Sequence, residues 1–263
     1  MKRADRLTRL RHTARWDVLI VGGGATGLGC AVDAAARGHS TLLLEAGDFA
    51  GGTSSRSTKL IHGGVRYLAQ GRLGLVREAL AERTRLLRNA PHLVHPQGFV
   101  VPVHGAWEGL RLGLGLRLYD HLAGADGLGP CRSLSADATL AALPSLRPDG
   151  LRGGLRYQDA RFDDARLAIT LMRSAEALDA LTLNALRVTG LLHAGGRVAG
   201  VAAEDGETGE HFELPARVVI NATGVWSDAV RRLDDPDAPP QLAPSQGAHV
   251  VVDRDFLPGD DAL

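Results

Sequence analysis

Between residues 16 and 45 the chain switches from one apolar pattern to another and back. Val18-Leu19-Ile20-Val21 and Leu42-Leu43-Leu44 are short continuous apolar runs, the signature of strands buried on both faces. The stretch from Leu28 to Arg37 between them has helical spacing. Segments 16–22 and 40–45 are therefore expected to bracket a βαβ unit with parallel strands. From Gly71 to Val94, Leu73, Val76, Leu80 and Leu87 recur at helical intervals. This predicts a helix with one buried face, with Arg77, Arg83, Arg85 and Arg88 on its solvated face. Pro91 and Pro96 close that segment, and Phe99-Val100-Val101-Pro102-Val103 reads as extended.

Over 107–122, leucines interleave with glycine and arginine. A packed helix is expected there, with a surface helix touching a bilayer as the alternative. Residues 123–154, rich in Gly, Pro and Ser, predict loops around a short helix. Asp163 and Asp164 precede the run Leu167-Ala168-Ile169-Leu171-Met172, where an aspartate caps a helix start. Strands are expected at 181–188, 197–203 and 216–221. The strand pattern returns after a long excursion, which implies a discontinuous first domain over 16–92 and 160–231. The partial second domain is then α+β and covers 93–159 and 232–263, while 1–15 is expected to be a disordered, Arg-rich leader.

Composition narrows the functional classes. In 263 residues, 30 basic and 30 acidic side chains cancel, so no global charge steers the chain toward nucleic acid or an anionic surface. Cys30 and Cys131 are too few and too far apart in sequence to suggest a disulfide framework or a metal site, and they fit a reducing compartment. No run approaches the length of a membrane span, and the first residues lack the apolar core of a signal peptide. Lysine is confined to Lys2 and Lys59. Lys59 is either a chance survivor of an arginine-biased composition or a functional cation.

The chemistry concentrates in two stretches. In Gly22-Gly23-Gly24-Ala25-Thr26-Gly27, Gly22 suits a tight turn, Gly24 lets the backbone approach a pyrophosphate, and Gly27 lets helix and strand pack closely. Glu45, at the end of the second strand, stands at the distance expected of a ribose-binding acid. The second stretch, Gly51 to Tyr67, is too polar for a core element. Its hydroxyls, Lys59 and the Gly63-Gly64 pair suit a pyrophosphate and a flat ring system rich in acceptors.

With these motifs, Glu78-Ala79-Leu80-Ala81-Glu82-Arg83, Ala90-Pro91-His92-Leu93, Tyr119-Asp120-His121-Leu122, Asp163-Asp164-Ala165-Arg166-Leu167, Asn221-Ala222-Thr223-Gly224-Val225-Trp226 and Gly247-Ala248-His249-Val250-Val251-Val252 complete a pattern. From Trp16 to the last residue the chain resembles FAD-dependent glycerol-3-phosphate dehydrogenase, a member of the D-amino-acid-oxidase-like class. The resemblance implies an α/β, Rossmann-like FAD-binding domain with an inserted substrate domain. It also implies oxidation of sn-glycerol 3-phosphate to dihydroxyacetone phosphate, with hydride passing from C2 to FAD and electrons on to quinone.

On that pattern Gly22, Gly24 and Gly27 hold the pyrophosphate and Glu45 the adenosine ribose. Ser54, Ser55, Lys59 and His62 lie along the flavin, Val188 beside the adenine, and Thr223 and Gly224 against the cofactor. Arg66 and Tyr67 stand next to the substrate, where a guanidinium pairs with phosphate. His62 is a candidate base by residue type, a donor packed under the ring being the simpler account. The family associates peripherally with membrane, which implies a cytoplasmic chain at the inner face of the cell membrane, a homo-oligomer in its full-length form.

The sequence departs from the family in three ways. It matches the amino-terminal half of a longer chain, Gln246 replaces a basic residue, and the segment before residue 181 is short. Three alternatives stay open: a non-catalytic FAD-binding fragment, an oxidase that uses oxygen, and an amine or amino-acid oxidase.

Overall fold

The computed structural model describes residues 2–124 and 127–263, with the side chain of Arg66 outside the described set. By contacts the chain divides into two units, Met1–Ser57 with Asp164–Gly247 and Thr58–Asp163 with Ala248–Leu263.

The first unit is built on parallel strands. β1 (Trp16–Val21) lies between β2 (Thr41–Leu44) and β10 (His211–Asn221), and β7 (Leu181–Leu183) borders β2. β8 (Leu186–Ala194) and β9 (Arg197–Asp205) continue antiparallel from the first half of β10. Alternation along β1 and β2 divides the core in two. Ile20 and Leu43 point into a layer with α2 (Ala25–Ala36) and α7 (Asp164–Ala177), where Leu28, Ala31 and Ala168 are buried. Leu19, Val21, Leu42 and Leu44 point the other way, against Val201, Phe212 and Leu214 of the antiparallel strands. Helix α8 (Ser227–Arg231) follows β10.

The expected disordered leader is instead a helix, α1 (Arg3–His12). Leu7 and Leu10 are buried in the second of these cores beside Leu181 and Leu183. Its arginines are tied to distant acids: Arg3 to Asp205 and Glu207, Arg6 to Glu176, Arg9 to Asp179, and Arg11 to Glu210. Arg11 also lies over the Phe212 ring, 5.9 Å from its centroid. The strand expected at 181–188 is two strands, because Ala185 adopts φ 51° and turns the chain between them.

In the second unit β6 (Gly153–Phe162) is the central strand. β4 (Val94–Val103) flanks one side, and β3 (Leu60–Ile61) and β5 (Arg132–Leu134) pair with its other edge at opposite ends. Pro96 and Pro102 are tolerated in β4 because their positions share the parity of Val100. That residue's N–H points away from β6 to the carbonyl of Ala262, so the ladder loses no donor. Helices α3 (Val65–Ala69), α4 (Leu73–Asn89), α5 (Ala106–Ala123) and α6 (Ala136–Ala142) complete the unit. Apolar clusters around Val76, Leu80 and Tyr119, and around Val103, Leu116 and Leu155, form its core.

The outward boundary therefore falls at residue 57, not at 92. The pairing of β3 with β6 draws the segment from Thr58 onward into the second unit. The segment 247–252, apolar in sequence, forms no strand either. It has no ladder partner among the described residues, and Val250, Val251 and Val252 are exposed.

Candidate dinucleotide site

In the first unit the glycine turn sits where β1 and β10 end side by side. The Ala222 amide donates to the Val21 carbonyl at 2.8 Å, and the Gly22 amide to Leu44 at 2.8 Å. Gly22 has φ 112°, and a side chain there would meet the Ala222 carbonyl oxygen at 2.5 Å. Gly27 abuts the Gly22 carbonyl oxygen, so a Cβ at Gly27 would collide with backbone. Gly24 is the N-cap of α2 and lacks a side-chain cap, and the first turn of that helix carries no charged residue. Ser54 closes over this end, its hydroxyl accepting from the Ala25 amide at 2.9 Å. Ser55 lies in the same short 3-10 turn, its hydroxyl 3.5 Å from the Gly52 carbonyl oxygen.

Glu45 is anchored beside the turn. Its two carboxylate oxygens accept from the Gly23 and Gly47 amides, each at 2.7 Å. Each oxygen keeps a second lone pair for a hydroxyl donor. The Leu186 amide donates to the Glu45 carbonyl at 2.9 Å, so the strand carrying half-buried Val188 starts at Glu45. Thr223 donates its hydroxyl to Asn221 at 2.7 Å, and Gly224 follows with φ 57° and open space around it. The structure thus brings Gly22, Gly24, Gly27, Glu45, Ser54, Ser55, Val188, Thr223 and Gly224 into one unit. Helix-start amides and a carboxylate acceptor there fit the phosphate and ribose parts of a dinucleotide.

Two contributions to this end were not read from the sequence. Gly23 matters as much as its neighbours, since a side chain would meet Glu45 Cβ and Phe49 Cδ1 at 2.8 Å. Asp164 is a buried tether rather than a plain cap. One oxygen accepts from the Ser57 amide and hydroxyl, at 3.1 and 2.8 Å, and the other from the Ala165 amide at 2.8 Å.

Lys59, His62 and Tyr67 lie in the second unit, on the segment running from β3 into α3. Lys59 adopts φ 61° and is exposed, as is His62, while Tyr67 is 39% exposed. Arg66 belongs to the first turn of α3, and its side chain lies outside the described residues. The Gly63-Gly64 pair has a local cause: a side chain at Gly63 would meet the Tyr119 hydroxyl at 2.5 Å and Leu80 at 2.6 Å, and Gly64 has φ 74°.

Behind this segment is a polar cluster that corrects one expectation. Arg83 is not on a solvated face: its side chain is 2% exposed and pairs with Asp159 at 2.8 Å. Tyr119 donates to the other Asp159 oxygen at 2.8 Å and accepts from the Gly63 amide at 2.7 Å. Burial pushes the Asp159 carboxyl above the ordinary range against the pull of Arg83 and Tyr119. The Tyr119 hydroxyl is raised by burial and by the Asp159 charge, and burial pushes Tyr157, whose ring stands at 86° to that of Tyr119, up to about 12. The sequence did hold a signal, since Val76, Leu80, Arg83 and Leu87 follow a single helical stripe.

Residues 17–262 match the FAD dependent oxidoreductase family. The chain is 42% identical to the mitochondrial glycerol-3-phosphate dehydrogenase of Macaca fascicularis, over 97% of its own length and 37% of that protein. It is 44% identical to the glycerol-3-phosphate dehydrogenase of Mycobacterium leprae, over 95% of its length and 43% of that protein. Among solved structures, glycerol-3-phosphate dehydrogenase from Bacillus halodurans complexed with FAD superposes with a TM-score of 0.68 and 34% identity, covering 89% of this chain and 39% of that one. L-alpha-glycerophosphate oxidase from Mycoplasma pneumoniae with FAD bound shares the fold, with a TM-score of 0.58 and 19% identity over 80% of this chain and 54% of that one. The chain spans less than half the length of the curated relatives it matches. With the family match covering nearly every residue and the glycine turn, Glu45 and the returning strand set around one helix start, this chain belongs to the FAD-dependent oxidoreductases.

Proposed function

We propose that this chain supplies the FAD-binding part of a flavin-dependent glycerol-3-phosphate dehydrogenase. The observation that carries the reading is the joining of Gly22, Gly24, Gly27 and Glu45 at the end of β1, supported by more than 40% identity to enzymes of that name. When bound, FAD supplies the hydride acceptor for C2 of sn-glycerol 3-phosphate, giving dihydroxyacetone phosphate.

The chain's own residues divide the remaining work. The α2 amides, with Ser54 and Ser55 nearby, hold the pyrophosphate, and Glu45 accepts from the ribose. Val188 flanks the adenine, and Thr223 and Gly224 back the cofactor at the end of β10. Lys59 and His62 serve the flavin ring, Lys59 by a positive charge and His62 as hydrogen-bond donor or as acceptor of the substrate hydroxyl proton. Arg66 pairs with the substrate phosphate and Tyr67 packs beside it. Quinone is the proposed final acceptor.

A peripheral membrane surface accompanies this reading. On α5, Trp107, Leu110, Leu114 and Leu118 are exposed along one helical stripe, with Arg111 and Arg117 among them. That arrangement suits the interface of an anionic bilayer. No helix among the described residues is long and apolar enough to cross a membrane.

The test is anaerobic addition of glycerol 3-phosphate to the chain reconstituted with FAD. Bleaching of the flavin absorbance supports the dehydrogenase. A bound flavin that never bleaches reassigns the chain to cofactor binding alone. Dye-linked quinone reduction compared with hydrogen peroxide release then separates quinone from oxygen as acceptor.

A further inference from the structure

We infer that Arg83, Asp159 and Tyr119 form a positioning network for the flavin site, fixing the peptide that joins His62 to Gly63 and so aiming the segment that carries Lys59, His62, Arg66 and Tyr67. The inference rests on the flavin reading above.

The network has one possible direction. The Gly63 amide can only donate, and the ionised Asp159 carboxylate can only accept, so the Tyr119 hydroxyl must give its proton to Asp159 and turn a lone pair to Gly63. Arg83 occupies the remaining Asp159 oxygen at 2.8 Å, which leaves Oδ2 for Tyr119. In a trans peptide the N–H and the preceding C=O point in opposite directions, so the His62 carbonyl is directed away from the buried tyrosine. Gly64, at φ 74°, then starts α3, which carries Arg66 and Tyr67. A buried phenol thus sets the orientation of a turn whose exposed Lys59, His62 and Tyr67 are candidate flavin and substrate contacts.

Stability alone accounts poorly for such a cluster. A buried ion pair is often no better than apolar side chains of equal volume, and here Arg83 Nε is also buried without a hydrogen-bond partner. Apolar replacements would fill the space between α4, α5 and β6 but would orient nothing. Directional bonding is what the polar groups add.

The experiment compares FAD affinity and the visible spectrum of bound flavin in the full chain and in three variants. Tyr119→Phe keeps the ring and removes only the hydroxyl. Asp159→Asn keeps an acceptor for Tyr119 without the charge. Val103→Ala loosens the neighbouring apolar cluster and leaves the network untouched.

Positioning predicts that Tyr119→Phe weakens FAD binding about tenfold, or about 1.4 kcal/mol, and moves the flavin band toward that of free FAD. Asp159→Asn is expected to do so less, and Val103→Ala to lower Tm with affinity and spectrum unchanged. A folded Tyr119→Phe chain with wild-type affinity and spectrum overturns the inference. Unfolding of both network variants beside a folded Val103→Ala also overturns it, since the network would then serve the fold alone. A wild-type chain that binds no FAD is recognised before any variant is made; it defeats the flavin reading itself, and the inference falls with it.

Discussion

Replacing Gly27 with alanine places a methyl group against the Gly22 carbonyl oxygen, with the Gly22 carbonyl carbon at 3.1 Å and the Ala222 side chain at 3.3 Å from the new atom. All three belong to the junction of β1, α2 and β10, and the closest is backbone, so relief requires α2 to move off the sheet. The same substitution two residues later is harmless in space, because a Cβ at Gly29 meets nothing within 4 Å. Both changes gain about 1 kcal/mol of helix propensity over glycine. At Gly29 that gain stands alone, and a rise in Tm of about 2–4 °C is expected. At Gly27 overpacking costs about 1–3 kcal/mol, and the forced displacement from backbone puts the position at the upper end. A net loss of about 1–2 kcal/mol follows, or a fall in Tm of roughly 2–8 °C. Thermal melts of the three chains, followed by circular dichroism, read the difference, and Gly27→Ala should also weaken FAD binding because the α2 amides shift. A Gly27→Ala chain as stable as Gly29→Ala would refute the packing account of the turn.

Further outcomes follow from the same structure. Glu45→Ala removes the acceptor of two amides and, on the proposed reading, that of the ribose, and since hydrogen bonds to charged groups are worth about 1.5–3 kcal/mol, FAD affinity should fall roughly 10- to 100-fold in fluorescence titration. The tethering of α1 should be lost in acid. Burial works to raise Asp205, but the Glu207 amide, Arg3 and Thr208 together outweigh it, and the Arg11 hydrogen bond holds Glu210 low, so both carboxyls sit below their unfolded pKa. The stability they contribute is present above the unfolded carboxyl range, about pH 4, and is lost as pH falls through the folded values, which hydrogen exchange of the α1 amides would register as early deprotection. Trp107→Glu with Leu114→Glu should abolish co-sedimentation with anionic vesicles while leaving Tm unchanged, because both side chains are exposed.

What the sequence made legible was local. The runs at 18–21 and 42–44, the glycines between them and Glu45 all act within about thirty residues, and periodicity and turn chemistry report such neighbours directly. The missed features depend on partners far along the chain. Arg3, Arg6, Arg9 and Arg11 look like a solvated leader until Asp205, Glu176, Asp179 and Glu210 are folded against them. Arg83 sits on an apolar stripe, but only β6 supplies Asp159 and only α5 supplies Tyr119. The break at Ala185 carries no glycine to announce it, and the division at residue 57 follows from a two-residue strand pairing with β6. Asp164 illustrates the middle case, because a helix start was readable from its neighbours whereas its bonds to Ser57 were not.

On the proposed function, the turn at Gly22–Gly27, with Glu45 beside it, cradles a flavin dinucleotide. Equilibrium titration of the chain with FAD, followed by flavin fluorescence and repeated in the presence of NAD, tests this most directly. Saturable binding of one FAD is expected, which NAD does not displace and Glu45→Ala weakens. Absence of saturable FAD binding, or displacement of FAD by NAD, would contradict it.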